Sequence, residues 1–271
     1  MRQPMLAEGT FSGRVAIVTG GGSGIGFSIA HALATLGASV VIAGRRQQIL
    51  SDAAAQLHKT GAEVLVQVVD VRHPDQVQRM VDEVQHRFGR IDMLVNSAAG
   101  NFRVRAEDLS PNGWRAVSDI VLDGTWFCTQ AVGRQMIAAG GGAILNIGTV
   151  GAFHGGPLAV HSASAKAGVL AMTKTLATEW GRHKIRVNVL TPGATTDTGA
   201  VTQLFPTPED QQRIASSVPL GRLADRTEIA NAAAFLLSDY ASYITGDNLV
   251  MDGGKWLGRG HLGSSFEPRS C

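Results

Sequence analysis

The chain alternates between short apolar runs and longer stretches in which apolar residues return every three or four positions. Arg14-Val15-Ala16-Ile17-Val18-Thr19, Ser39-Val40-Val41-Ile42-Ala43, Val64 to Val69, Met93-Leu94-Val95 and Ala143 to Ile147 are rich in β-branched residues and almost continuously apolar. That is the pattern of strands buried on both faces of a parallel sheet. Between them Ile25, Ile29, Ala32, Leu33 and Leu36 share a helical face closed by Gly37, and helical patterns run from about Trp114 to Met136 and from Ser162 to Gly181. Alternating strands and helices over 271 residues, without a linker or repeat, predict one α/β domain. The expected architecture is a doubly wound parallel sheet with helices on both faces, residues 1–10 and 258–271 being flexible or subunit-facing tails.

The glycines at the end of the first strand carry the first chemical signal. Gly20-Gly21-Gly22-Ser23-Gly24-Ile25-Gly26 leads directly into the first helix. Such a turn lets a pyrophosphate approach backbone N–H groups at a helix N-terminus, where a Cβ would collide. Gly20, Ser23, Gly24, Ile25 and Gly26 are therefore expected cofactor contacts. The second strand ends in Gly44-Arg45-Arg46 and not in an acid. Guanidinium groups there suit the 2′-phosphate of NADP, whereas an acid would take the 2′-hydroxyl of NAD, so NADP(H) is favoured. The third and fourth strands run into Asp70-Val71 and Asn96-Ser97-Ala98. Both ends fall on one sheet edge, which puts Asp70 and Asn96, with Val71 and Ala98 beside them, at the adenosine half of the cofactor.

Composition narrows the partners. A formal net charge of +2 without a basic block speaks against nucleic acid. No run approaches the roughly 20 apolar residues of a spanning helix, so no membrane partner is expected. Cys128 and Cys271 stand far apart without metal-ligand neighbours, which predicts no disulfide, no metal and a reducing compartment, the cytoplasm by default.

Taken in order, Thr19 to Gly26, Asp70-Val71, Asn96 to Gly100, Lys166, the run Arg186 to Gly193 and Asp252-Gly253-Gly254 resemble the short-chain dehydrogenase/reductase family, from about Phe11 to Leu257. The resemblance implies cofactor contacts from Pro192, Gly193 and Thr195, a homotetramer, and a lysine, Lys166, that holds the nicotinamide ribose and tunes a catalytic tyrosine four residues earlier. Here that tyrosine position holds Ser162, the usual serine position Thr149 and the usual asparagine position Val121. The two tyrosines, Tyr240 and Tyr243, lie far downstream. A serine hydroxyl ionises far above the roughly 10 of a phenol, so Ser162 is a poor acid for ketone or alcohol chemistry.

One branch of the family also carries a serine before the lysine: the sequence is similar to the 2,4-dienoyl-CoA reductases through Asn96 to Phe102, Leu109-Ser110-Pro111, Asp119 to Thr125 and Ser162 to Gly168. In that branch a hydride goes to the far end of a conjugated thioester, whose oxygen is then stabilised as a dienolate while a carbon is protonated. The resemblance implies that Asn101 hydrogen-bonds the thioester carbonyl, that Ser162 and Thr149 orient thioester or cofactor, and that Lys166 stands between cofactor and substrate. It further implies that Arg45 and Arg72 face phosphates of coenzyme A or NADP and that Phe102 and Ser110 line the acyl-CoA path. The branch's own acids are missing, since its mitochondrial tyrosine falls at Gly151 and its peroxisomal aspartate at Val121. Bound water is the leading proton donor, ahead of His154 or His161 and of Asp119, which a helix turns away from the face of Val121. Thr195 to Pro208 reads as a loop over the substrate, with Thr195 and Thr198 as possible cofactor contacts, and Cys128 as a core residue. Two alternatives make different predictions: a carbonyl reductase with another acid reduces ketones lacking a thioester, and a non-catalytic NADP-binding protein binds NADPH without turnover.

Overall fold

Residues 6–199, 201 and 206–257 are described by a computed structural model. Seven strands among them, β1 (Val15–Thr19), β2 (Ser39–Gly44), β3 (Val64–Val68), β4 (Met93–Asn96), β5 (Gly142–Ile147), β6 (Ile185–Pro192) and β7 (Asn248–Met251), form one sheet in the order β3-β2-β1-β4-β5-β6-β7. Every neighbouring pair is parallel. The continuous apolar runs are explained by this placement: all five residues of β1 are buried, as they must be under helices on both faces.

The helices are α1 (Gly24–Thr35), α2 (Gln47–Leu57), α3 (Pro74–Phe88), α4 (Pro111–Ser118), α5 (Gly124–Ala139), α6 (Gly151–His154), α7 (Val160–Trp180), α8 (Pro208–Ser216) and α9 (Arg226–Leu237). Ile29 and Leu33 of α1, Leu50 and Leu57 of α2 and Ala233 and Leu237 of α9 fill the core on one face. Val77 and Met80 of α3, Val132 and Met136 of α5 and Leu176 of α7 fill it on the other. The single helix expected over Trp114–Met136 is instead two, joined by a π-helical turn at Asp119–Asp123. Of the expected N-terminal tail, residues 6–10 are described. Leu6 packs on the core and Thr10 Oγ1 donates to the Ala7 carbonyl at 2.6 Å. Residues 1–5, the tail 258–271, and residues 200 and 202–205 of the expected loop lie outside the described residues.

Strand order reverses between β1 and β4, the place where a doubly wound sheet opens a crevice at its carboxyl edge. Buried polar groups hold that edge together. Thr19, the last residue of β1, accepts from the backbone N–H groups of Ser97 and Ala98, both at 3.1 Å, through its hydroxyl. Asn96 and Asn146 are register partners on β4 and β5. Asn96 Nδ2 donates to Thr129 Oγ1 and Asn146 Oδ1, each at 2.9 Å, and Asn146 Nδ2 donates to Thr173 Oγ1 at 2.9 Å. One ladder therefore ties α5, β4, β5 and α7 beneath the crevice. Replacing Asn146 with Leu removes its two central bonds and leaves buried polar neighbours short of partners, which costs about 1–3 kcal/mol. The expected readout is a lower urea midpoint at unchanged m-value; an unchanged midpoint would show the ladder to be dispensable.

Candidate active site

A cavity of about 740 Å³ opens along the carboxyl ends of the central strands. Gly20, Ser23, Gly24, Ile25 and Gly26 line one end of it. Ser23 is the N-cap of α1 but makes no side-chain cap bond, so the first-turn N–H groups remain open to an anion. The turn is packed as the glycines require: a Cβ on Gly26 would stand 2.4 Å from the Gly20 carbonyl oxygen, and Gly20 itself has φ of +68°. Arg45 and Arg46, at the exit of β2, line the same end, as do Asp70, Val71 and Ala98. Arg72 hydrogen-bonds Asp70 through Nε at 3.0 Å, and this guanidinium holds the Asp70 carboxyl below the usual carboxylate range. A phosphate cradle followed by a carboxylate and two cations is the donor set that fits a dinucleotide.

The other end is built by β5, α7 and the segment after β4. Ser162 and Lys166 stand one turn apart on the face of α7 that meets the cavity, and Thr149 reaches it from the turn before α6. Lys166 is 8% exposed, and its ammonium donates to the Ile147 carbonyl at the end of β5. Burial lowers its pKa to about 8. Asn101 faces them from the post-β4 segment. Its Oδ1 accepts the backbone N–H of Phe102 at 2.9 Å, which engages the acceptor end of the amide and leaves its NH2 as the end available to donate. Pro192, Gly193 and Thr195 close the cavity at the end of β6, together with Asp252 and Lys255.

Four expected site residues stand elsewhere. Asn96 is not at the ligand surface; it belongs to the buried ladder. Arg72 is outside the cavity lining and is engaged by Asp70 rather than free for a substrate phosphate. Ser110 caps α4, its hydroxyl accepting from Gly113 N at 3.1 Å. Phe102 turns from the cavity into a small apolar cluster with Val117, Val121 and Ala165. Of the proton-donor candidates, Asp119 pairs with Arg115 at 3.4 Å and His154 sits exposed on α6 with Nδ1 2.6 Å from the Gly155 carbonyl. His161 is wholly buried and does not line the cavity. Cys128 is buried, which pushes its thiol up to about 12 and leaves it unreactive. Tyr240 adjoins Asp239, which pairs with Arg14 just before β1, so it lies at the opposite edge of the sheet. Asp252 and Lys255 were missed as lining residues, although Asp252 opens the Asp-Gly-Gly triplet that the sequence displays.

The buried lysine makes stability depend on pH. The unfolded chain keeps this proton to about pH 10.4, the folded chain only to about 8. Between these values the unfolded state binds more protons, so stability rises with pH; below about 8 the full burial cost is present. Lys166→Met is expected to be more stable than the parent at pH 7 by on the order of 3 kcal/mol, with the gap closing toward pH 10. Unfolding curves across this range check it, and a less stable variant at pH 7 would mean that the bond to Ile147 outweighs burial.

Comparison with known proteins agrees with this geometry. A family model described as enoyl-(acyl carrier protein) reductase matches residues 20–255. A Bacillus subtilis (strain 168) protein named probable 2,4-dienoyl-CoA reductase [(2E)-enoyl-CoA-producing] is 46% identical over 246 residues, covering 90% of this chain and 97% of its own. The peroxisomal 2,4-dienoyl-CoA reductase [(3E)-enoyl-CoA-producing] of Arabidopsis thaliana is 40% identical over 257 residues, 91% of this chain and 86% of that protein. A crystal structure of a short chain dehydrogenase from Bacillus anthracis superposes with a TM-score of 0.85 at 47% identity, covering 91% of this chain and 97% of that one. With fold, cofactor cradle and sequence in agreement, the chain belongs to the short-chain dehydrogenase/reductase family, among relatives that bear the name 2,4-dienoyl-CoA reductase.

Proposed function

We propose that this protein is an NADPH-dependent reductase of 2,4-dienoyl-CoA, an oxidoreductase acting on a CH–CH group. The observation that carries the reading is the pairing of a donor-presenting Asn101 with a site that has Ser162 where a phenol would be needed. A ketone reductase must protonate an oxygen as hydride arrives. A conjugated thioester instead needs its oxygen held as negative charge develops, and then a proton on carbon, for which no strong oxygen acid is required. Donors without a phenol match the second chemistry.

When bound, the reduced nicotinamide supplies the hydride. The residues divide the remaining tasks. The open N–H groups at Ser23 to Gly26 hold the pyrophosphate, and Arg45 and Arg46 meet the 2′-phosphate that distinguishes NADPH from NADH. Lys166 holds the nicotinamide ribose from the cavity wall. Asn101 Nδ2 donates to the thioester oxygen, helped by the hydroxyls of Ser162 and Thr149, and stabilises the dienolate. Water entering the cavity supplies the proton, because the carboxylates Asp70, Asp119 and Asp252 lie in ion pairs or backbone bonds and the Lys166 ammonium is engaged by the Ile147 carbonyl. We also infer a homotetramer, from the family resemblance, and a cytoplasmic location. A buried free Cys128 and the absence of any described helix long and apolar enough to cross a membrane are compatible with that location.

The test is NADPH oxidation with 2,4-hexadienoyl-CoA beside a simple ketone. Turnover on the thioester alone supports the reading; turnover on the ketone alone favours a carbonyl reductase, and NADPH binding without turnover a silent cofactor protein. Asn101→Ala should lower kcat by roughly 10²-fold, the scale of losing one oxyanion donor, with little change in NADPH affinity. Replacing Arg45 and Arg46 together with Ala should raise KM for NADPH by at least about tenfold and leave KM for NADH nearly unchanged, as expected when a charge-assisted contact worth about 1.5–3 kcal/mol is lost.

A further inference from the structure

His161 is 0% exposed, yet neither ring nitrogen has a hydrogen-bond partner among the described residues. Leaving a buried polar group unpaired costs stability, so such a ring calls for a reason. It stands one residue before Ser162 and four before Ala165, on the face of α7 that packs against α4 and the π-helical turn. What it touches there is Phe102: the two rings meet nearly perpendicular, at 82°, with centroids 4.5 Å apart. Phe102 is in turn the residue whose N–H holds Asn101 Oδ1, while its ring packs with Val117, Val121 and Ala165.

We propose that His161 is a positioning residue for Asn101, acting through the edge-to-face contact with Phe102. The chain of contacts is short and directional. The imidazole fixes the Phe102 ring, the ring fixes the backbone at Phe102, and that N–H keeps the Asn101 amide turned so that NH2 faces the cavity. If the ring loses its perpendicular neighbour, the amide gains freedom to rotate, and its oxygen would then oppose a developing negative charge. The contact also links the donor to α7, which carries Ser162 and Lys166, so all three groups keep a common frame. In this role the imidazole serves as an aromatic wedge, held by packing rather than by its nitrogens.

The inference rests on the dienoyl-CoA reading for its kinetic arm only, and a double-mutant cycle supplies that arm. His161→Leu is expected to lower kcat on 2,4-hexadienoyl-CoA about tenfold with NADPH affinity unchanged, and His161→Phe, which keeps a ring, to recover it to within about threefold of the parent. In an Asn101→Ala background His161→Leu should cost nothing further, because the group it positions is gone. Phe102→Leu should behave as His161→Leu does, which covers the case in which one variant folds poorly. The second arm needs neither substrate nor cofactor: the Asn101 side-chain amide resonance should shift in His161→Leu and stay in place in His161→Phe. Additive losses in the cycle would overturn the proposal. So would a His161→Phe variant that folds, keeps the amide resonance and has lost activity as fully as His161→Leu, since that outcome assigns the role to the ring nitrogens. If the parent protein fails to reduce the dienoyl thioester, the substrate reading falls while the resonance arm still decides the contact.

Discussion

Two asparagines facing each other across β4 and β5 set the conditions for everything at the carboxyl edge of this sheet. Asn96 and Asn146 are buried where hydrocarbon would pack as well, and they have value only because each finds partners: one another, Thr129 on α5 and Thr173 on α7. Such a network is rigid, since each departure from these bonds leaves a further polar atom unpaired in a medium of low dielectric, beside an Asn96 Oδ1 that already lacks a partner among the described residues. The consequence is positional. The segment after Asn96 leads to Asn101, the strand end one residue after Asn146 supplies the Ile147 carbonyl that takes the Lys166 ammonium, and α7 brings Ser162 and Lys166. Three separate elements thereby converge on one cavity wall.

The chemistry follows from what is charged and what only donates. At the adenosine end Arg45, Arg46 and the open helix terminus are cationic or partly so, as a phosphate-rich ligand requires. At the reactive end stands one buried ammonium, whose pKa is lowered to about 8 by desolvation, surrounded by neutral donors. Such a site offers neutral hydrogen-bond donors to a developing oxyanion, while its ammonium is engaged by the Ile147 carbonyl. The Asn101 amide is the telling group, because its orientation is settled by the Phe102 N–H and not by any ligand. Preorganisation of this kind is what makes a donor effective, since nothing has to turn as charge moves.

Much of this was readable in the sequence, and the exceptions have physical causes. Five strands and the glycine turn were legible because burial on both sides leaves no polar alternation and because a cradle excludes side chains at fixed positions. The break at Asp119–Asp123 left no such mark: a π-helical turn adds one residue without needing Pro or Gly, and Ile120-Val121-Leu122 continues an apolar pattern. The resemblance puts Ser110 on the acyl path, but Ser-Pro ahead of a helical run is an N-terminal signal, and Ser110 caps α4. Asp70 and Arg72, two residues apart beyond a strand end, satisfy each other, so proximity in sequence had already consumed the free cation. Asn96 and Phe102 show a subtler failure. Both lie in a stretch that serves the site, but Asn96, the last residue of β4, turns to the strand beside it and Phe102, beyond the strand, turns to α7, and only packing decides those directions.

The central claim is that hydride goes to carbon at the far end of a conjugated thioester while Asn101 and its neighbours hold the oxygen. Its most direct test is to run the reaction with NADPH deuterated at the transferred position of the nicotinamide and to locate the label in the product of 2,4-hexadienoyl-CoA by NMR. The account predicts deuterium at carbon 5 of an intact enoyl thioester. Deuterium at the former carbonyl carbon, in an aldehyde or alcohol, would contradict it.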